Sequence, residues 1–319
     1  MQVLVSGANG LVGTALISRI AREPALRPIA GLREPQVDSL LCEQRVLGDL
    51  AKGRVAAQVV HGVDVVVHVA ARVHVMQENE LDSLAAFRAI NVEGTRALLE
   101  ASSEANVRRF VFVSSIKVNG EASLPGRPFS EEDGANPQDA YAHSKWEAEQ
   151  LVQGFCEQHG MEWVIVRPPL VYGPGVRANF RRMMQALARG FPLPLGGLHN
   201  KRSLVALENL ADFLTCCVSH PLAANQRFLV SDGRDLSVTE LSRALAAALG
   251  SRSWLIPLPG TWLAVGLRLM GRAAAAQRLC GELRVDSGKA RTLLHWQEPQ
   301  GVDEALAATV QDFVRGGGQ

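Results

Sequence analysis

Tyrosine is scarce in this chain, with two residues in 319. Cysteine is scarce as well: five residues, Cys42, Cys156, Cys216, Cys217 and Cys280, with no Cys-x-x-Cys pair. An odd, scattered set argues against a disulfide framework and against a zinc site, and it fits a reducing, cytoplasmic compartment. An excess of charge is missing too. Thirty-three basic residues face 32 acidic ones, for a net charge of +1, too small a balance for a broad nucleic-acid surface. The N-terminus, MQVLVSGANG, has neither a basic n-region nor a cleavage site, so no signal peptide is expected. There is no uninterrupted run of about 20 apolar residues, the length a spanning helix needs. The greasiest stretch, Trp254 to Met270, is broken by Pro257, Pro259 and Arg268. It reads as an ordinary packed helix, with a helix lying on a membrane surface as the lesser alternative. No G-x-S-x-G elbow is present, and no cluster of His, Cys and carboxylates has metal-ligand spacing.

What is present is a rhythm. Short β-branched runs at Gln2–Ser6, Pro28–Leu32, Arg45–Leu47, Val63–Val69, Phe110–Val113 and Trp163–Val166 alternate with helical patterns at Leu11–Arg22, Leu81–Ala105 and Asp139–His159. Val63–Val69 is nearly continuous valine, the mark of a strand buried on both faces. Strand–helix alternation with right-handed crossovers predicts an α/β fold, a doubly wound parallel sheet wrapped by helices. The rhythm fails after Arg167, where Pro168, Pro169, Pro174, Pro192 and Pro194 crowd among glycines. A Rossmann-type dinucleotide domain over residues 1–168 is therefore expected, with a returning segment at 204–231, where Arg227–Val230 regains strand character. A smaller, mixed substrate domain would take 169–203 and 232–319, with helices in the Ala-rich stretches 241–249 and 273–277.

Gly7, Gly10 and Gly13 stand between the first strand and the first helix, in the segment Gly7-Ala-Asn9-Gly10-Leu11-Val12-Gly13. Glycines there permit a tight turn, close backbone approach to a pyrophosphate and close helix packing. The helix N-terminus then offers free N–H groups to the phosphates. The residue that selects the cofactor follows the second strand, and here it is Arg33, in Gly31-Leu-Arg33-Glu34. A guanidinium suits a 2′-phosphate, which points to NADP(H). The alternative is a solvated Arg33 beside a Glu34 that binds the ribose of NAD(H).

Tyr141-Ala-His-Ser-Lys145 opens a predicted helix, and residues i and i+4 share a helical face. A neighbouring cation lowers the pKa of a phenol and makes it a usable acid or base. With two tyrosines and five lysines in the chain, chance rarely produces this pair. Ser114 and Ser115 follow the strand Phe110–Val113, at the carboxyl edge where doubly wound sheets bind ligands. A hydroxyl there can hydrogen-bond a substrate oxygen that gains charge. His68 reads as a buried, satisfied histidine.

On these motifs the chain resembles the extended short-chain dehydrogenase/reductases of the nucleotide-sugar epimerase/dehydratase group. The resemblance adds Gly48-Asp49-Leu50, His68-Val69-Ala70-Ala71, Asn91-Val-Glu-Gly94-Thr95 and Arg167-Pro168-Pro-Leu-Val-Tyr-Gly-Pro174. It implies that Asp49 contacts adenine, that Leu50, Val69, Ala70, Ala71, Asn91 and Pro168 border the cofactor, and that Ser115 orients the sugar C4 oxygen. It also implies that Tyr141 is the acid or base, while Lys145 bonds the nicotinamide ribose. On the substrate side it implies Asn179 and Arg202 near the nucleotide diphosphate. A second phosphate-binding arginine is expected at Arg278, with Arg284 competing. It further implies a UDP-sugar substrate and a homodimer formed through the helices near 81–105 and 139–159. The segment Ser115-Ile-Lys117-Val-Asn-Gly-Glu121 is similar to a subgroup from bacterial O-antigen pathways that reduces 4-keto-6-deoxy sugars, with Lys117 facing either sugar or solvent. The expected activity is therefore NADPH-dependent reduction of the C4 ketone of a UDP-4-keto-6-deoxy-hexose, giving a UDP-N-acetylquinovosamine-type product. The alternatives are an NAD-dependent UDP-hexose 4-epimerase and, from another class, a catalytically silent dinucleotide-binding regulator.

Overall fold

Alternating valines build the centre of the molecule. A computed structural model describes residues 1–35, 42–73, 80–252 and 254–316. Gln2–Ser6 (β1) leads through Leu11–Ile20 (α1) to Arg27–Leu32 (β2), Glu43–Val46 (β3) and Val65–His68 (β4). Glu80–Arg88 (α2), a π-helical turn at Ala89–Glu93 and Gly94–Glu104 (α3) precede Arg109–Val113 (β5), Ala140–His159 (α4) and Glu162–Arg167 (β6). Then come Leu170–Tyr172 (β7), Ala178–Ala188 (α5), Lys201–Arg202 (β8), Leu204–Ala206 (β9), Leu207–Ser219 (α6) and Gln226–Leu229 (β10). Leu236–Ser237 (β11), Val238–Ala248 (α7), Gly260–Leu269 (α8), Ala273–Cys280 (α9), Gly288–Leu294 (α10) and Val302–Gly316 (α11) complete the chain.

Seven strands form one parallel sheet in the order β10-β6-β5-β4-β1-β2-β3. Period-two geometry sends alternate side chains to opposite faces. Val3, Val5, Val65, Val67, Val111 and Val113 pack with Leu16, Ile20, Leu210 and Phe213 of α1 and α6. Leu4, Val66, Phe110 and Phe112 pack with Leu98 of α3 and Val152 of α4 on the other face. A third core joins Phe180 and Met184 of α5, Leu241 and Leu245 of α7, and Leu306 and Val310 of α11 around Tyr172. This core underlies the carboxyl end of the sheet, where β7 pairs with β9 outside it.

One element differs from the sequence reading. The single helix expected over Leu81–Ala105 is broken by the π turn at Ala89–Glu93. An α period cannot announce one surplus residue; the side chain of Asn91, tied to groups outside the helix, accompanies the bulge. The apolar stretch Trp254–Met270 contains a helix, α8, which packs against α9 with none of its residues fully buried. Among the described residues no helix is long and apolar enough to cross a membrane.

Candidate active site

The order of the sheet reverses between β1 and β4, which pair in parallel. A crevice opens at such a switch point, beyond the carboxyl ends of the strands. The glycine loop lies there. Gly7 has φ +70°, and a Cβ on it would stand 2.8 Å from the backbone N and Cα of Ala70. A Cβ on Gly13 would fall 2.1 Å from the Gly7 carbonyl oxygen. Gly10 caps α1 in an extended conformation and supplies no side-chain acceptor to the first-turn N–H groups. Asn9, Gly10 and Leu11 are exposed and Val12 is half-buried. A tight backbone cradle, open N–H donors and the positive end of a helix fit the pyrophosphate of a dinucleotide. Gly13→Ala is expected to weaken dinucleotide binding about tenfold or more, because the collision is with backbone. Titration calorimetry checks this, with far-UV circular dichroism confirming the fold; unchanged affinity would remove the loop from the cofactor site.

Below the cradle runs a buried polar chain. Ser6 Oγ lies 2.5 Å from His68 Nδ1, and His68 Nε2 lies 3.0 Å from Thr95 Oγ1. Thr95 Oγ1 donates to the Asn91 carbonyl at 2.7 Å, and Asn91 Nδ2 donates to Ser144 Oγ at 2.9 Å. Ser6 Oγ also accepts from the N–H groups of Val69 and Ala70, and Asn91 Oδ1 accepts from that of Arg72. The segment Val69, Ala70, Ala71, half-buried along the crevice, is thus fixed from both ends. Burial first, and the Lys145 charge second, push His68 down to about 3, so the ring stays neutral. Ser6, Thr95 and Ser144 were not singled out in the sequence; small hydroxyl residues have no pattern that marks them as network members.

Asp139 caps α4, accepting from the Ala142 N–H at 2.7 Å, and this sets the first turn that bears Tyr141. Tyr141 is half-buried, meets the Phe87 ring edge-on at 5.9 Å, and hydrogen-bonds the Ser115 side chain. One turn on, Lys145 is buried and donates to the Val113 carbonyl at 2.7 Å, with Nζ 4.3 Å from the Phe112 ring centroid. Ser115 stands two residues beyond Val113 and caps a short 3₁₀ turn, accepting from the Lys117 N–H. The three groups therefore meet at the carboxyl end of β5. Ser114 Oγ is buried there with no hydrogen-bond partner among the described residues.

One electrostatic expectation is corrected. A lowered tyrosine pKa was inferred from the i+4 ammonium, but burial pushes Tyr141 up to about 12; Ser115 partly offsets this and Asp139 adds to it. Lys145 is itself lowered to about 7 by burial, against the opposing pull of Glu149. Its ammonium is engaged by a carbonyl.

Lys117 is half-buried between two carboxylates. Its Nζ is paired with Asp139 at 2.5 Å and with Glu121 at 2.7 Å. Arg202, half-buried in β8, donates to the Gly281 carbonyl at 3.0 Å. Burial lowers its pKa, with Glu121 raising it and Arg278 lowering it, so these three charges share one neighbourhood. Arg278 is exposed on α9, whereas Arg284 is committed to Asp235 at 2.7 Å. Asn179 is exposed in the first turn of α5. Asp49 caps the 3₁₀ turn at Leu50–Lys52, and Leu50 packs beneath Gly94. Pro168 is buried and accepts from the Ile116 N–H at 3.0 Å. Arg33 and Glu34 are both exposed just past β2.

Comparison with known proteins adds to this geometry. The model of the NAD dependent epimerase/dehydratase family matches residues 3–230. The chain is 40% identical over 316 residues to the UDP-glucose 4-epimerase of Vibrio cholerae, covering 98% of this chain and 95% of that one. UDP-glucuronic acid 4-epimerase from Bacillus cereus, solved with UDP-glucuronic acid and NAD, superposes with TM-score 0.80 at 19% identity, covering 99% of each chain. DesIV, a dTDP-glucose 4,6-dehydratase from Streptomyces venezuelae solved with NAD, gives TM-score 0.78 at 23% identity, over 100% of this chain and 98% of that one. At those identities the solved structures speak for the shared fold.

Two expectations are overturned. NADPH-dependent 4-ketoreduction gives way to the reading held as its alternative, because the relative matched along almost the full chain is a 4-epimerase. NADP(H) gives way to NAD, because the family whose model matches residues 3–230 is the NAD dependent epimerase/dehydratase family. The physical reason is local: the NADP(H) inference rested on Arg33 alone, and Glu34 is exposed beside it at the same strand end. A carboxylate there suits the free ribose diol of NAD.

Proposed function

The chain belongs to the NAD dependent epimerase/dehydratase family, and from that premise we propose that it is an NAD-dependent UDP-hexose 4-epimerase acting on UDP-glucose or UDP-N-acetylglucosamine. The observation that carries the reading is the meeting of Ser115, Tyr141 and Lys145 at the carboxyl end of β5, beside the glycine cradle.

Bound in that cradle, NAD would supply the acceptor for a hydride from the sugar C4 and the donor that returns it to the opposite face of the ketone. Tyr141 takes the proton of the C4 hydroxyl as the ketone forms and returns it as the ketone is reduced. Its high pKa keeps it protonated; loss of the proton needs added positive charge nearby. Lys145, one turn away and held by the Val113 carbonyl, supplies that charge in this reading. Ser115 hydrogen-bonds the C4 oxygen and holds it near the phenol. Arg202 and Arg278 meet the diphosphate, with Asn179 at the mouth. Asp49, Leu50, Val69, Ala70, Ala71, Asn91 and Pro168 border the dinucleotide, and Arg33 lies at its adenosine end. Residues 1–168 with 204–231 form the cofactor unit in this reading, and 169–203 with 232–319 form the substrate unit. The protein acts in the cytoplasm as a homodimer joined through α2, α3 and α4.

The test is incubation with UDP-glucose and NAD, followed by NMR of the nucleotide sugar. UDP-galactose is expected, with no net change at the nicotinamide absorbance band. Absence of the C4 epimer from both UDP-glucose and UDP-N-acetylglucosamine would overturn the reading.

A further inference from the structure

The helix α8 is apolar on both sides. Its inward residues, Leu263, Ala264 and Leu267, are half-buried. Its outward residues at i, i+3 and i+7, Trp262, Val265 and Leu269, are 72%, 54% and 85% exposed. A helix this apolar all round is normally buried or in contact with lipid. The surface continues into the segment before it. Leu193 N–H donates to the Trp254 carbonyl, Ile256 N–H to the Leu193 carbonyl, and Gly196 N–H to the Ile256 carbonyl. That extended strip sends Trp254 and Ile256 outward on the same side, 69% and 49% exposed. A bridge between Gly197 and Pro259 joins the end of the strip to the start of α8. Two of the five tryptophans of the chain thus stand on one outer face.

Charge identifies what this face meets. Residues 241–281 contain five arginines and no acid, in a chain whose overall net charge is +1. Arg252, Arg268 and Arg272 flank the apolar residues and are exposed, as is Arg189 near the other edge of the strip. A second copy meeting this face about a two-fold axis would set the same arginines against each other with no carboxylate between them. An anionic bilayer complements both features: tryptophan and leucine enter the headgroup boundary while arginines bind lipid phosphates. We propose that α8 and the strip 254–256 dock this protein on anionic membrane surfaces, with Trp262 and Leu269 as the inserted anchors.

The docking proposal stands apart from the proposed activity and is tested separately. The full chain is sedimented with vesicles of phosphatidylcholine alone and with vesicles that also contain phosphatidylglycerol. Binding is expected to the anionic vesicles, accompanied by a blue shift of tryptophan emission. Trp262→Glu combined with Leu269→Glu is expected to lower the partition coefficient about tenfold or more. Arg268→Ala and Arg272→Ala are each expected to lower it about fivefold. All four side chains are exposed, so folding and turnover of soluble nucleotide sugar are expected to stay unchanged. No binding to the anionic vesicles, equal binding by the double glutamate variant, or a face whose glutamate substitutions dissociate a dimer while leaving vesicle binding intact would overturn the proposal.

Discussion

Replacing Tyr141 by Phe is expected to lower kcat for epimerisation about 10²- to 10⁴-fold, with KM nearly unchanged. The phenol oxygen is the only atom lost. Its partner in the resting chain is the Ser115 hydroxyl, which water can satisfy at this half-buried position, and the edge contact with Phe87 at 5.9 Å survives. Ground-state binding of the sugar nucleotide falls mainly to groups elsewhere, so the effect belongs to proton transfer. Initial rates with UDP-glucose, with NAD binding measured in parallel, check the split. A loss smaller than about fivefold would take the proton-transfer role away from Tyr141, and a loss confined to KM would make it a binding group.

The second large effect concerns a buried ion cluster next to the catalytic helix. Glu149 of α4 is fully buried and accepts from Arg167 Nε at 2.8 Å and from Nη2 at 2.6 Å. Arg167, itself buried, also donates to Asn119 at 2.9 Å, and Arg227 Nε approaches the same carboxylate at 3.6 Å. Burial, followed by the charge of Arg167, lowers the pKa of Arg227. Glu149→Ala would leave the buried Arg167 guanidinium without its carboxylate and with the like charge of Arg227 beside it. The expected cost is about 3–5 kcal/mol, a large share of the roughly 5–15 kcal/mol that holds a typical domain together. Urea unfolding gives the number. Because desolvation offsets much of the attraction in a buried pair, Glu149→Leu with Arg167→Met is expected to recover a large part of the loss. A Glu149→Ala midpoint equal to that of the parent would show that the cluster is solvated.

How far the sequence could be read depended on the range of the interactions involved. Strands β1, β2, β4, β5 and β6 were legible because a strand buried on two faces has to be apolar at nearly every position, as in Val65–Val67. The glycine loop and the Tyr141–Lys145 pair were legible because their spacing is local. Much of the second half was not. In α6 nine of thirteen residues are buried, and only the narrow stripe Glu208, Asp212 and Ser219 declares the helical period. The clustered prolines and glycines around α5 likewise masked its amphipathic pattern. The partners of Lys117 lie 4 and 22 residues away, and only the folded chain brings both to it. Arg33 shows the opposite hazard: a legible residue was asked to decide a question that its neighbour Glu34 reopens. The anchors on α8 were visible as greasy letters, but a sequence does not say which side of a wholly apolar helix is left uncovered.

The position of β10 has a consequence for how the chain is made. It hydrogen-bonds β6 at the sheet margin, yet β7, α5, β8, β9 and α6 are all synthesised between them. Until Leu229 clears the ribosome, the outer rim of β6 has bare amides and carbonyls, a template for any stray strand. Nascent chains stalled near residue 200, or proteins truncated there, should therefore aggregate and call on chaperones, even though the glycine loop after β1 has long been made.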